Sequence, residues 1–386
     1  MRWAGHSITI WILMMITMPA LRAQIPDWLD LKGYVKELAQ LSLDNGFSDL
    51  QFDNVIHHRL ETEWTISGDL QLDVDLRSRL LNGYTVRNTT GLSSLFEADP
   101  NLVDLTKVWT GTKESLFYSE IDRFYLSYYN GPIEIYAGRQ RINWARSYVW
   151  SPNDLFNNYA YLDFDYEERP GVDAVAAIWN LDFASSVEAG VRLGKNISEM
   201  VIAGMYRFNI RDYDLQFIAG HYYDKIALGF GWAGYIQDAG FKGELSYFHP
   251  EEDLMDASGT FTSTLGLDYM FENGLYTQAE VLYNGGYERS REGLSGLTQP
   301  PGADNLFISD TGYFLNFSHS LSPLTGIGFG TLGSFSSSLF IFIPQLSYSL
   351  SQDIDLLLLA QLLKGSEFDI EGLNSNLFFF RVKWSY

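Results

Sequence analysis

The sequence predicts an all-β protein, a transmembrane antiparallel β-barrel of about eighteen strands. Three observations carry this. Side-chain polarity alternates with a period of two along most of the chain, short and long connections alternate, and the last segment ends in an aromatic, half-apolar strand.

The alternation comes first because a strand sends successive side chains to opposite faces. In 69–80, Gln71, Asp73, Asp75, Arg77 and Arg79 share one face, and Leu70, Leu72, Val74, Leu76 and Leu80 the other. In 56–66, His57, Arg59, Glu61, Glu63 and Thr65 oppose Ile56, His58, Leu60, Thr62, Trp64 and Ile66. Helical spacing would scatter these charges around an axis. The same rhythm predicts strands at 30–43, 54–67, 69–82, 117–129, 132–142, 171–180, 183–193, 198–209 and 212–223. It continues at 225–237, 240–249, 260–272, 274–284, 310–321, 323–335, 338–351, 353–364 and 375–386.

The connections supply an independent test. Every even-numbered one is short and built of turn-forming residues, such as Ser67-Gly68, Asn130-Gly131, Asp238-Ala239, Asn273-Gly274 and Gln352-Asp353. The long ones, 83–116, 143–170, 250–259, 285–309 and 365–374, are all odd-numbered. Single-chain outer-membrane barrels sort their loops this way, with short periplasmic turns and longer outer loops. Trp64, Tyr128, Tyr129, Trp179, Phe271 and Trp384 sit beside the short turns, where an interfacial girdle belongs.

At the C-terminus, Phe378, Phe380, Val382, Trp384 and Tyr386 alternate with Arg381, Lys383 and Ser385. A last strand of this kind resembles the signal that bacterial outer-membrane assembly machinery reads, with Phe380, Trp384 and Tyr386 as its recognition residues. At the other end, Arg2, the apolar run 8–18 and Ala20-Leu21-Arg22-Ala23 read as a cleavable signal peptide over 1–23. The barrel then occupies 24–386. The apolar run is shorter than the ~20 residues of a spanning helix. No cysteine is present for a lipid anchor or a disulfide.

Aromatic residues make up 16% of the chain, and no apolar run after residue 23 is long enough for a spanning helix. A lipid-exposed strand needs only every second residue apolar, so composition and membrane residence agree. The expected surroundings are the outer-membrane bilayer and its lipopolysaccharide. The formal charge is −22, and loss of Arg2 and Arg22 makes it −24. A surface so acidic excludes nucleic acid as a partner.

A barrel of this size has a lumen too wide for side chains to fill. Arg59, Glu61, Asp73, Asp75, Arg77 and Arg79 are expected to line it and keep it wet. The first strand starts soon after Gln24, which leaves no room for a plug domain, so an outer loop folded inward is the expected narrowing.

The segment 138–157, GRQRINWARSYVWSPNDLFN, is the one motif-like stretch. Arg139, Arg141 and Arg146 lie among Trp144, Tyr148 and Trp150, and Ser151-Pro152-Asn153-Asp154 looks like a turn opening a short helix. Guanidinium groups bind carboxylates and stack on rings, and rings also suit the apolar face of a sugar. Arg139, Arg141, Trp144, Arg146, Trp150 and Asp154 are therefore the candidate pore and selectivity residues. Strict alternation from Ile133, Ile135 and Ala137 points Arg139 at lipid, and a β-bulge at Gly138 would turn it inward. Equally, these charges could form structural ion pairs that pin the loop to the wall.

The Gly-Arg-Gln…Trp…Pro-Asn-Asp pattern of this segment resembles outer-membrane porins of the alginate-export type and their uncharacterised relatives. The resemblance implies a solute- or polysaccharide-conducting channel with Arg139 and Arg141 in the conduit. Exporters of that type carry a basic lumen for a polyanion, and the acidity of this chain departs from that pattern.

Other chemistries are weaker. Asp163, Asp165, Glu167 and Glu168 could be drawn as a calcium site, but the glycine-turned twelve-residue loop is missing, so they read as a solvated acidic loop. No glycine-flanked serine resembles a nucleophile elbow, and of the strand histidines only His57 faces the lumen, so an enzyme is not expected. No cofactor or metal is implied. The expected function is passive, partly selective passage of small polar or saccharide solutes. The competing reading is a non-transporting barrel whose long outer loops bind a partner or a surface glycan.

Overall fold

The structure, a computed structural model, describes residues 25–43, 50–97, 99–157, 168–252, 255, 257–287, 302–365 and 376–386. The signal-peptide segment and most of the acidic run 163–168 lie outside these residues. Nineteen strands occur among the described residues: β1 (Leu29–Leu43), β2 (Leu50–Ser67), β3 (Leu70–Gly83), β4 (Thr106–Gly111), β5 (Ser115–Asn130), β6 (Ile133–Gln140), β7 (Val172–Asn180), β8 (Ser186–Arg192) and β9 (Val201–Ile210). They continue with β10 (Tyr213–Tyr222), β11 (Lys225–Ile236), β12 (Ala239–Pro250), β13 (Thr260–Met270), β14 (Leu275–Asn284) and β15 (Thr311–Ser322). The last four are β16 (Thr325–Ser334), β17 (Phe340–Ser349), β18 (Ile354–Lys364) and β19 (Asn376–Ser385).

All pairings are antiparallel between sequence neighbours, except that β3 pairs β5 and β1 closes the ring on β19. Eighteen strands therefore form a closed barrel, each within a few residues of its expected position. The extra strand, β4, lies inside the connection read from sequence as one long loop, which also holds the short helices α1 (Tyr84–Asn88) and α2 (Leu92–Glu97). It takes up the edge of β5 that β6 leaves free. β6 pairs β5 from Phe124 to Asn130, and β4 pairs it from Leu116 to Glu120. A buried strand edge needs hydrogen-bond partners, and β4 supplies them.

Adjacent residues show the two-faced wall plainly. Gln216 is 1% exposed on the inner side of β10, whereas Phe217 beside it is 51% exposed on the outer side. Phe124, Leu126 and Tyr128, Val175 and Trp179, and Ile202 and Tyr206 continue the apolar exterior. The girdle residues Trp64, Tyr128, Trp179 and Phe271 are all exposed near the short turns.

The seam is made by the chain end. Gly33 and Tyr386 exchange backbone hydrogen bonds of 3.1 and 2.9 Å. The Tyr386 hydroxyl lies 2.9 Å from His58 Nε2, and a Cβ on Gly33 would come within 2.7 Å of that hydroxyl. Glycine is needed there because the tyrosine lies directly across the strand. Trp384 stands level with Val35, and Phe380 is exposed on the same face.

Candidate functional site in the barrel lumen

After Gln140 the chain leaves the wall, crosses the interior and returns. On the outward leg the indole Nε1 of Trp144 donates to Glu188 of β8 (3.1 Å) and Arg146 Nε to Gln216 of β10 (3.0 Å). Ser147 Oγ lies 2.6 Å from Thr264 Oγ1 of β13, and the Tyr148 hydroxyl bonds Asp268. Trp150 then packs on Phe307, centroids 5.2 Å apart, against the inner wall of β14–β17. The chain reverses through Ser151–Asp154, where Asp154 N donates to Ser151 O (3.1 Å). This is a turn only. The short helix expected after Pro152 does not form, because the following residues bond the wall and the loop base instead. On the return leg Ser246 Oγ of β12 donates to Pro152 O (3.0 Å), and Phe156 packs edge-on against Trp144. Asn157 Oδ1 accepts from Ile142 N (3.0 Å), which closes the base of the excursion.

Two wall carboxylates hold this segment by its backbone. Glu244 accepts from the amides of Arg146, Ser147 (2.8 Å) and Asn153 (2.9 Å). Glu280 accepts from the amides of Tyr148 (2.6 Å), Val149 and Trp150 (2.9 Å). Both are fully buried, and these donors help offset the cost of removing a charge from water. Hydrogen bonds to a charged acceptor contribute roughly 1.5–3 kcal/mol each. Glycines carve the bed on which the segment lies. A Cβ on Gly231 would meet the Asn153 amide at 2.8 Å, and one on Gly266 the Tyr148 ring at 2.7 Å.

Arg139 goes elsewhere. The bulge expected at Gly138 is absent, since β6 pairs β5 and β7 through Arg139 without a register shift. Gly138 keeps a φ of +126° but stays in the ladder. Arg139 therefore stays on the outward face with Ala137 and Val175, level with Asp173 and Phe124. The chain before β4 covers it: Arg139 donates to Asp173 (2.9 Å) and Asp99 (2.8 Å), and Val103 N also bonds Asp173 (2.7 Å). Its place is a structural ion-pair cluster rather than the conduit.

The rest of the expected set divides. Trp144 and Trp150 are buried between loop and wall, where they pack the segment rather than stand free in the lumen. Asp154 is buried and pairs with Arg169 at 2.6 Å. Burial pushes its carboxyl up to about 7, against the opposing pull of Arg169. Arg141 is exposed and forms no hydrogen bond or salt bridge among the described residues. Burial of part of its stem and the nearby Arg169 charge lower its pKa. A cavity of about 420 Å³ beneath the outward leg is lined by Arg123, Arg141 and Arg207 with Tyr125, Tyr136 and Trp144. Arg146 stands beyond it, half-buried, and burial and the neighbouring Arg207 lower its pKa.

Arg59, Glu61, Asp73, Asp75, Arg77 and Arg79 share one face of β2 and β3, but Arg59 and Arg77 are buried in ion pairs rather than bathed by water. Glu61 stands level with Asp75, Arg59 with Arg77, His57 with Arg79 and Glu63 with Asp73. Arg59 spans Glu61 (2.6 Å), Asp75 (2.8 Å) and Asp122 (2.6 Å), and Arg77 bonds Glu120. Glu188, Gln216, Glu244 and Glu280 were absent from the expected set. Their only sequence signal is a polar residue on the lumen side of a strand, which many residues share.

This architecture is that of a closed eighteen-strand antiparallel β-barrel. No family model and no curated protein matches the sequence. Among solved structures the chain is similar to the outer membrane protein OprD from Pseudomonas aeruginosa, with a TM-score of 0.61, 9% identity and 93% of each chain covered. It is also similar to OccAB3 of Acinetobacter baumannii, with a TM-score of 0.54, 11% identity, and 94% of this chain and 100% of that one covered. OccD3 (OpdP) of Pseudomonas aeruginosa matches at a TM-score of 0.54 and 9% identity, covering 92% and 91%. The likeness is one of fold. The alginate-export-type resemblance suggested by residues 138–157 finds no support in these comparisons, which lead to OprD and Occ barrels.

Proposed function

We propose that this chain is a passive outer-membrane channel for small polar or saccharide solutes, narrowed by the segment 141–157. The observation that carries the reading is that this segment lies inside the barrel, bonded to the wall from β8 to β14. A loop that only bound a partner would have no need of such an anchorage. Arg141, with Arg123 and Arg207 beside it, is the charge a passing solute meets in the cavity below. Among the described residues no nucleophile is set beside a base in the site, so the reading favoured is transport rather than catalysis. Swelling of proteoliposomes in small sugars, together with single-channel conductance, tests it. Folded barrels that neither conduct nor admit sugars would refute it.

A second reading has one observation in its favour. Leu95, Leu102, Val103 and Trp109 are exposed around β4 near the long-loop rim, as a partner-binding surface would require. Removal of residues 90–111 with conductance retained but surface binding lost would favour that reading.

A further inference from the structure

We infer that Glu244 and Glu280 are the positioning residues that set the width of the lumen. The inference rests on the channel reading and names the groups that hold its loop in place. A loop suspended in a water-filled barrel faces constant competition from solvent for its backbone amides. Here six amides, from residues 146–150 and 153, converge on two carboxylates rooted in β12 and β14, on either side of β13. Glu244 ties the outward leg to the reversing turn, since it takes Ser147 from the one and Asn153 from the other. It therefore closes the turn as well as anchoring it.

The chemistry requires a carboxylate. Each oxygen of an ionised carboxyl accepts more than one hydrogen bond, whereas a glutamine presents one accepting oxygen and turns an NH₂ toward the remaining donors. Substitution with glutamine keeps size and shape but sets donor against donor. The glycine bed admits the loop, and the carboxylates fix it there.

The test is the doubly substituted barrel Glu244→Gln/Glu280→Gln, with Glu280→Gln alone as the second variant should the pair fail to fold. Heat-modified gel mobility identifies folded barrels. Single-channel conductance should rise by on the order of twofold and larger sugars should enter, as open cross-section governs both. A second readout does not depend on conduction. The chain has no cysteine, so Ser151→Cys is a unique thiol, buried at the turn of the segment in the native packing. Its reaction with a water-soluble maleimide should be about tenfold or more faster in the glutamine variants, as expected when buried groups are reached only through opening. Unchanged labelling and unchanged conductance in folded glutamine variants overturn the inference. If the native barrel conducts nothing, the channel reading falls, and the labelling rates still decide whether the carboxylates hold the loop.

Discussion

Two arginines two residues apart meet opposite fates. Arg139, the last outward residue of β6, is 4% exposed and fixed between Asp99 and Asp173. Arg141, one step off the strand, is exposed beside the lumen cavity. The side of the wall decided this, because the pleat carries Arg139 outward and only departure from the ladder frees Arg141 to turn inward. An arginine beside a barrel lumen is therefore a candidate for selectivity only after its strand parity is known.

The largest effect expected from breaking this comparison is at Arg139. Arg139→Ala leaves two buried carboxylates without their cation, which costs about 3–5 kcal/mol. Denaturant-dependent loss of the folded band should show it, with ion preference nearly unchanged in the barrels that survive. Gly138→Val comes next. A Cβ there would lie 2.2 Å from the Phe124 carbonyl oxygen, and the φ of +126° is hostile to a branched residue, so a loss of roughly 1–3 kcal/mol is expected on the same assay.

Arg141→Ala should do the converse, leaving stability within about 0.5 kcal/mol while shifting the reversal potential toward cation preference in asymmetric salt. An unchanged reversal potential would remove Arg141 from the proposed selectivity set.

The smallest effect is in pH dependence, and it sharpens the contrast. Asp99 is pushed up by burial, but the Leu105 and Asn101 amides and Arg139 outweigh this and hold it below the usual carboxylate range. A lowered acid pKa means that stability is present above the unfolded value of about 3.9 and is lost only as pH falls further. Asp154 runs the other way. With its carboxyl raised to about 7, the return leg docks most firmly in acid and loosens as pH rises through neutrality. Tryptophan fluorescence from Trp144 and Trp150 should report a transition near pH 7 that Asp154→Asn abolishes. A transition that persists in Asp154→Asn assigns it to another group.

Much of the wall was legible from residue order. The period-two pattern put Asp73, Asp75, Arg77 and Arg79 on one face and Glu63, Glu61, Arg59 and His57 on one face, and the register then sets the two rows level. The inward narrowing loop was also expected in kind. Its anchors were not, since Arg146 and Glu244 are 98 positions apart and Tyr148 and Glu280 are 132 apart. β4 escaped notice because its six residues sit in a polar connection and gain their order from the vacant edge of β5. Trp144 and Trp150 looked like pore-lining rings, but aromatic residues near a wall are as readily used to pack a loop against it.

The amino-acid order by itself determined the closed barrel, the alternation of its faces and the sorting of its turns. These are consequences of the pleat and of neighbouring strands, and both act over a few residues. Tertiary structure alone decided that residues 141–157 lie on the wall from β8 to β14 and that Arg139 stays behind on the outer face. Those outcomes depend on carboxylates and glycines that only ring closure brings beneath the loop, and no local pattern encodes which distant strand will face a given amide.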